Sequence, residues 1–81
     1  MNRYETIISL GEAFMKLINK GLIPIHILDW KVYYEAYVEE MEYQKKYFNK
    51  PKKTSAAGIT AEKYKVTERT IFNVIAFMEN K

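Results

Sequence analysis

The stretch AEKYKVTERTIFNVIAF, residues 61–77, decides the fold that this sequence predicts. Its hydrophobic residues recur at the three- and four-residue steps of an α-helix on either side of an interruption at Lys65 and Val66. Thr67 follows, and its hydroxyl can cap a new helix by accepting a backbone N–H two or three residues on. The stretch therefore predicts two short helices joined by a tight turn.

We expect the first of these helices to begin near Ser55, with Thr54 or Ser55 as its cap, and to end at Tyr64. The second is predicted from Thr67 to about Glu79. Its inward face is predicted to carry Ile71, Val74, Ile75 and Met78. Its outward face is predicted to carry Glu68, Arg69, Phe72, Asn73 and Ala76.

Two longer amphipathic helices are predicted upstream. The first extends from Tyr4 to Asn19 or Lys20, where Gly21 supplies a left-handed stop. Gly11 lies inside this helix, where glycine costs about 1 kcal/mol relative to alanine, so we expect it to mark a close helix contact.

The second upstream helix is predicted over residues 28–48, with Asp29 capping its first turn and Asn49 and Pro51 ending it. Its apolar stripe is predicted to be Trp30, Tyr33, Tyr34, Tyr37, Met41 and Phe48. The helical spacing of the aromatic residues favours a place in the core or at a dimer interface over base stacking.

Residues 61–74 meet most of the demands of a helix-turn-helix. Ala61 is the small residue where the two helices cross, and Lys65 stands four residues later at the turn, which is usually glycine. Keeping a left-handed backbone there would cost about 1 kcal/mol. Thr60 also departs from the motif, in which its position is usually apolar. The remaining positions of the motif are filled by Val66, Thr67, Ile71 and Val74.

This segment resembles the helix-turn-helix of bacterial and phage transcription regulators, whose pattern A-x-x-x-G-V-S-x-x-T-V-x-x-I corresponds to AEKYKVTERTIFNV. A looser likeness extends upstream. GLIPIHILDWKVYYEAY at residues 21–37, followed by ERTIFNVI at residues 68–75, is similar to the layout of the phage Mu middle-operon regulator (Mor-type) family. In that family an N-terminal dimerisation region precedes the DNA-binding hairpin. The likeness implies a homodimeric regulator that binds double-stranded DNA.

The expected fold is therefore all-α, with about four helices and a C-terminal helix-turn-helix in a single domain, because 81 residues build one hydrophobic core. Residues 1–50 are expected to form the helical core and the dimerisation region. Residues 54–81 are expected to form the helix-turn-helix.

The second helix of such a motif enters the major groove, so its outward residues are candidates for base contacts. Arg69 suits guanine O6 and N7, and Asn73 suits adenine. Phe72 could touch a thymine methyl group, although an aromatic in this helix more often packs against Ala61 or Tyr64. The predicted base contacts are Glu68, Arg69, Phe72 and Asn73.

Phosphate contacts fix the register of a protein on DNA without reading sequence. The predicted phosphate contacts are Lys52, Lys53, Ser55, Lys63, Lys65 and Thr67. The charge distribution agrees, since residues 1–43 hold four basic and seven acidic side chains and residues 44–81 hold nine and three. A solvated lysine-rich linker would produce the same pattern, so both interpretations stay open at this point.

Other function classes have little support in the sequence. There is no cysteine and His26 is the only histidine, so we expect neither a metal site nor a cofactor. The glutamates of the second helix have no catalytic partner and no glycine-rich phosphate loop occurs, which predicts that the chain is not an enzyme. The rival to a regulator is a small helical protein-protein interaction module without DNA binding.

The longest apolar stretch, GLIPIHIL at residues 21–28, is far shorter than the roughly 20 residues that span a bilayer. No charged-then-apolar leader is visible at the N-terminus. From these two observations we expect a cytoplasmic protein that does not contact membrane.

Overall fold

The computed structural model describes residues 1–80, which form five α-helices and no strand. The predicted all-α class is confirmed, whereas the number of helices is five instead of four. The helices are α1 (Arg3–Leu10), α2 (Glu12–Asn19), α3 (His26–Phe48), α4 (Lys53–Tyr64) and α5 (Glu68–Met78).

Gly11 separates α1 from α2 and so accounts for the additional helix. Its backbone angles are φ 54° and ψ −129°, a combination that glycine reaches because it has no Cβ. A Cβ built at Gly11 would meet no atom within 4 Å, so the expected close helix contact is wrong. The glycine is required by the backbone conformation that breaks the helix.

The first turn of α3 also differs from the prediction. The helix begins at His26, and Asp29 lies within its first turn without capping it. Ile25 occupies the N-cap position, and the N–H of Ile27 donates to the carbonyl of Pro24 over 3.1 Å. Because the turn that follows the proline already closes helically, Asp29 comes too late in the chain to act as the cap.

The start of α4 is likewise earlier than predicted. Lys52 holds the N-cap position and no side chain caps the helix, so neither Thr54 nor Ser55 has the predicted capping role. The hydroxyl of Ser55 instead accepts a hydrogen bond from Nε2 of Gln44 over 3.2 Å. Asn49 ends α3 with a left-handed φ of 59°, which confirms the predicted break.

The core lies where α3, α4 and α5 pack against one another, and α1 packs against α5. It is built from Ile7, Phe14, Ile27, Tyr34, Tyr37, Ala56, Ala57, Ala61, Ile71, Val74, Ile75 and Met78. The four inward residues predicted for α5 are all buried. The core thus takes side chains from both of the ranges that the sequence separated, residues 1–50 and 54–81.

The predicted apolar stripe of α3 is correct along most of its length. Tyr34 and Tyr37 are buried, and the stripe residues Trp30, Tyr33 and Met41 are partly buried against the core. Phe48 is wrong, because 66% of it is exposed. It follows the stripe by spacing but is the last residue of α3, where no other helix covers it.

Across residues 1–80, no helix combines the length and the apolar composition needed to cross a lipid bilayer.

Candidate nucleic-acid interface

The connection between α4 and α5 consists of Lys65, Val66 and Thr67. Lys65 has φ 57° and ψ 42°, so the turn keeps the left-handed conformation that glycine usually adopts there, although the residue is lysine. The N–H of Val66 donates to the carbonyl of Ala61 over 3.0 Å, which is the hydrogen bond that closes a Schellman-type helix end. The chain can therefore reverse within three residues.

The first turn of α5 is held by Thr67. Its hydroxyl accepts a hydrogen bond from the N–H of Thr70 over 3.1 Å, which confirms the predicted cap. The two threonine hydroxyls lie 2.9 Å apart and bond to each other. Ile71 and Val74 are completely buried beyond this cap, so the orientation of α5 about its own axis is set by packing.

Thr60 occupies a buried position where the motif usually has an apolar residue. Its hydroxyl donates to the carbonyl of Ala56 one turn earlier in α4 over 2.8 Å. This bond leaves no polar atom of the side chain unsatisfied, which removes the main cost of burying it. The departure at Thr60 is thus compatible with close packing of α4.

One face of α5 is open to solvent and carries Arg69, Phe72, Asn73 and Ala76. Residues at these three- and four-residue intervals stand side by side on a helix. Phe72 is 40% exposed, and the ring of Tyr64 packs instead on that of Tyr33, with centroids 5.0 Å apart. The alternative in which Phe72 serves as a core residue is therefore not found.

Arg69 and Asn73 are both exposed and stand one turn apart on this face. In the part of the chain that the structure describes, neither side chain is hydrogen-bonded, and the one ion pair joins Lys31 to Glu35. A guanidinium and a carboxamide are thus both available to a ligand. They are two of the groups best suited to reading base edges.

Glu68 lies at the edge of the same face and contacts α4. Its Oε1 is 3.0 Å from the position that a Cβ on Gly58 would occupy. The missing side chain of Gly58 therefore makes room for this carboxylate. Glu68 is exposed, but its side chain leans towards α4 and away from the middle of the face formed by Arg69 and Asn73.

The six residues predicted to contact phosphates are exposed, but they form two separate groups. One group stands at the start of α4 and the other near the turn between α4 and α5. Lys53 and Lys63 are about 15 Å apart along the helix axis, given a rise of about 1.5 Å per residue. The first group is Lys52, Lys53 and Ser55. The second group is Lys63, Lys65 and Thr67.

A buried glutamine that sequence reasoning missed positions the first group. Gln44 is only 6% exposed, and its Oε1 accepts the N–H of Lys52 over 3.0 Å. Its position was recognisable from spacing, because it lies three residues after Met41 and four before Phe48 on the apolar stripe of α3. A polar residue in such a stripe indicates a buried hydrogen-bonding role.

The start of α4 is suited to an anionic group. No side chain caps the helix, so backbone N–H groups of its first turn are open to a ligand, and the helix dipole favours negative charge there. Lys52 and Lys53 add two positive charges at the same place. Backbone and side chains together therefore form a position at which a phosphate would be stabilised.

Lys63 is separated from the other members of the second group. It lines a shallow surface depression together with Glu39 and Glu40 of α3, and its Nζ lies 5.5 Å from the centroid of the Tyr64 ring. The structure therefore places Lys63 beside acidic side chains, whereas Lys65 and Thr67 lie at the start of α5.

His26 lies at the exposed first turn of α3, where its ring packs edge-on against that of Trp30 with centroids 5.2 Å apart. Within residues 1–80, no three His, Asp or Glu side chains are close enough to hold a metal ion. The surroundings of His26 are thus aromatic.

We compared the chain with models of protein families, with curated proteins and with solved structures. None of the three comparisons found a match. Support for a function therefore comes from the residues of this chain and their geometry.

Proposed function

We propose that this protein is a sequence-specific DNA-binding transcription regulator in which α4 and α5 act as a helix-turn-helix. The observation that carries the proposal is the pair formed by Arg69 and Asn73, which are exposed one turn apart on α5 without a partner among residues 1–80. The left-handed Lys65 and the capping Thr67 meet the demands of the motif at its turn. The likeness to bacterial and phage regulators supports the same conclusion.

In the proposed mechanism α5 lies in the major groove with its N-terminal half against the bases. Arg69 donates two hydrogen bonds to guanine O6 and N7, and Asn73 pairs with adenine at a neighbouring position. Phe72 stands between them and contacts a thymine methyl group. Glu68, at the edge of the face, accepts from a cytosine amino group once its exposed side chain turns from Gly58 towards the groove. Each bidentate contact discriminates against a wrong base by about 1–3 kcal/mol.

Phosphates on either side of the groove hold the protein in register. The first turn of α4, with Lys52, Lys53 and the backbone N–H of Ser55, binds one phosphate group. Lys65 and Thr67 bind another near the start of α5. Lys63 makes no direct phosphate contact in this mechanism, because it stands beside glutamates of α3. It contributes only its positive charge to the attraction of DNA.

The proposed regulator acts as a symmetric homodimer. Half-sites about 34 Å apart would then be read by the two copies of α5. The candidates for this contact are large apolar side chains of the N-terminal half that are exposed to solvent. They are Ile8, Met15, Leu22, Ile25 and Val32.

The decisive experiment is selection of bound duplexes from a random DNA library, followed by competition titrations against the selected site and a scrambled one. Arg69→Ala and Asn73→Ala should each relax the preference at one base pair and weaken binding to the selected site by about 1–3 kcal/mol. Asn19→Ala is the matched control, since Asn19 is exposed at the end of α2. If both α5 variants keep the wild-type preference, α5 does not read DNA.

The second candidate function is a protein-protein interaction module. It is favoured by an open groove of about 440 Å³ beside α1 and the connection between α2 and α3, whose apolar lining includes Ile7, Leu10, Leu22, Ile23, Pro24 and Phe77. In that case DNA-cellulose would not retain the protein at low salt. The regulator, by contrast, should be retained and should elute as the salt concentration rises.

A further inference from the structure

The C-terminal end of α3 presents three exposed aromatic side chains among lysines. Tyr43, Tyr47 and Phe48 are 52%, 61% and 66% exposed, although side chains of this kind are normally covered. We call this region the aromatic-basic surface. It consists of Tyr43, Lys45, Lys46, Tyr47, Phe48, Lys50 and Lys52.

The three rings of the aromatic-basic surface form a cluster in which Tyr43 packs against both of the others. The centroid of Tyr43 lies 4.7 Å from that of Tyr47 and 6.3 Å from that of Phe48. Lys46 holds its Nζ 5.5 Å from the centroid of the Tyr47 ring. A positive charge is therefore placed directly beside an exposed aromatic face.

An open groove of about 500 Å³ is lined by residues of this cluster and of the start of α4. Tyr43 and Phe48 belong to its lining, and Lys50 and Lys52 bring two positive charges to it. Its volume falls within the range typical of sites for small ligands and single nucleotide units. A groove with these walls offers both a stacking surface and a place for an anion.

The charge of the aromatic-basic surface specifies the kind of partner. It holds four lysines, none of which is in an ion pair within the described part of the chain. Glu40 is the acidic residue that lines the groove. The complementary ligand carries several negative charges together with flat groups that can stack.

We propose that the aromatic-basic surface binds unpaired nucleotides of a nucleic-acid strand. Bases stack on Tyr43 and Phe48, and the phosphates between them lie against Lys46, Lys50 and Lys52. Single-stranded nucleic acids are bound in this way elsewhere, by a positively charged groove combined with exposed aromatic rings. This activity goes beyond the reading of duplex DNA by α5 and does not depend on it.

Two other classes of anionic partner fit the surface less well. An anionic membrane presents a broad layer of headgroups that would meet Glu39, Glu40 and Glu42 together with the lysines, whereas a single strand can follow the lysines and rings alone. An acidic peptide would satisfy the lysines but has no flat groups to cover the exposed rings. Unpaired bases use both features of the surface.

The test measures binding of a short fluorescent oligothymidylate by anisotropy at about 50 mM salt, where phosphate contacts are strong. The double variant Tyr43→Leu/Phe48→Leu keeps apolar bulk but removes two stacking faces. We expect its affinity to fall by at least about 30-fold, since two stacking contacts are lost and each contributes about 1–3 kcal/mol. Tyr47→Leu provides a second, independent variant, and circular dichroism checks that both fold.

Asn19→Leu is the control, because Asn19 is exposed at the end of α2, outside this surface and outside the proposed reading face of α5. It should leave binding of the oligothymidylate unchanged. Conversely, Tyr43→Leu/Phe48→Leu should keep the wild-type preference for the duplex selected with α5. Arg69→Ala should lose that duplex preference but keep the wild-type affinity for the oligothymidylate. The two proposals can therefore fail independently.

Three results would overturn the proposal. The first is a wild-type protein that does not bind the oligothymidylate at tens of micromolar. The second is an equal loss of affinity in Asn19→Leu and in the double variant. The third is binding of polyglutamate, or of phosphatidylserine vesicles, that equals the binding of the oligothymidylate and is lost in the same variants.

Discussion

Gln44 and Ser55 join α3 to α4 through a hydrogen bond of 3.2 Å from Nε2 of the glutamine to Oγ of the serine. The carbonyl oxygen of the same side chain accepts the backbone N–H of Lys52 over 3.0 Å. One buried side chain therefore holds the end of α3 against the start of α4. It also determines where the proposed phosphate site at the start of α4 lies relative to the aromatic-basic surface.

Replacing Gln44 tests this connection. Gln44→Leu should lower the free energy of unfolding by about 1–3 kcal/mol, because the N–H of Lys52 loses its buried acceptor. Urea denaturation measures the change. Glu42→Leu, at an exposed position of the same helix, is the control and should change stability by no more than about 0.5 kcal/mol. Equal stability of Gln44→Leu and the wild type would show that the connection contributes nothing.

The left-handed turn residue provides a second prediction. Lys65→Gly should raise the free energy of unfolding by about 1 kcal/mol, because a left-handed backbone strains residues that have a Cβ. Lys63→Gly removes the same side chain from a right-handed position inside α4 and should lower stability by about 1 kcal/mol. Thermal and urea denaturation should show these opposite signs. A loss of stability in Lys65→Gly would contradict the left-handed turn.

The lysines at the start of α4 should affect all duplexes alike. Changing Lys52 and Lys53 together to alanine should weaken binding to the selected and the scrambled site by similar factors. The slope of log affinity against log salt should become shallower by about 0.9 for each phosphate that the variant no longer neutralises. Lys16→Ala/Lys20→Ala, in α2 and at its C-cap, is the control and should leave the slope unchanged. A change in base preference would mean that these lysines do more than bind phosphate.

Stability should depend on pH through Tyr34. Its hydroxyl donates to Oε2 of Glu79 over 3.1 Å, and burial first, then the charge of Glu79, raise the pKa of Tyr34 above its ordinary value of 10.0. The folded state therefore holds this proton more tightly than the unfolded state. The stabilisation is complete below about pH 10 and is lost as the pH rises beyond it.

Tyr34→Phe should flatten the fall in the free energy of unfolding above about pH 10. It should also lower stability near neutral pH by about 1–2 kcal/mol, since the variant cannot form the hydrogen bond to a charged group. Glu79→Gln is the matched variant, because it keeps an acceptor and the burial while removing the charge. It should retain part of the alkaline decline. If the alkaline decline is unchanged in Tyr34→Phe, the decline comes from other groups. Tyr4 is one such group, because burial first and then Glu35 raise the pKa of Tyr4 to about 12.

Local sequence was sufficient to predict α5 and its turn. The predicted cap at Thr67 and the predicted inward residues of α5 agree with the structure. Each depends on interactions within a few residues, namely a side chain reaching its own helix end or a helical period of apolar residues. The exposure of Arg69 and Asn73 follows from the same period, while their contacts with bases remain predictions.

Longer-range features were decided only by the tertiary structure. Tyr37 and Tyr43 share one helix and one residue type, yet Tyr37 is buried and Tyr43 is half exposed. Gln44 is buried because α4 begins at Lys53, where the amide of Lys52 and the hydroxyl of Ser55 meet its carboxamide. The sequence by itself determined most of the helical segments and which faces are apolar, since those depend on neighbours along the chain, but it did not reveal the break at Gly11. Which parts of each face are covered depended on packing between helices distant in sequence, and that packing left the aromatic-basic surface open.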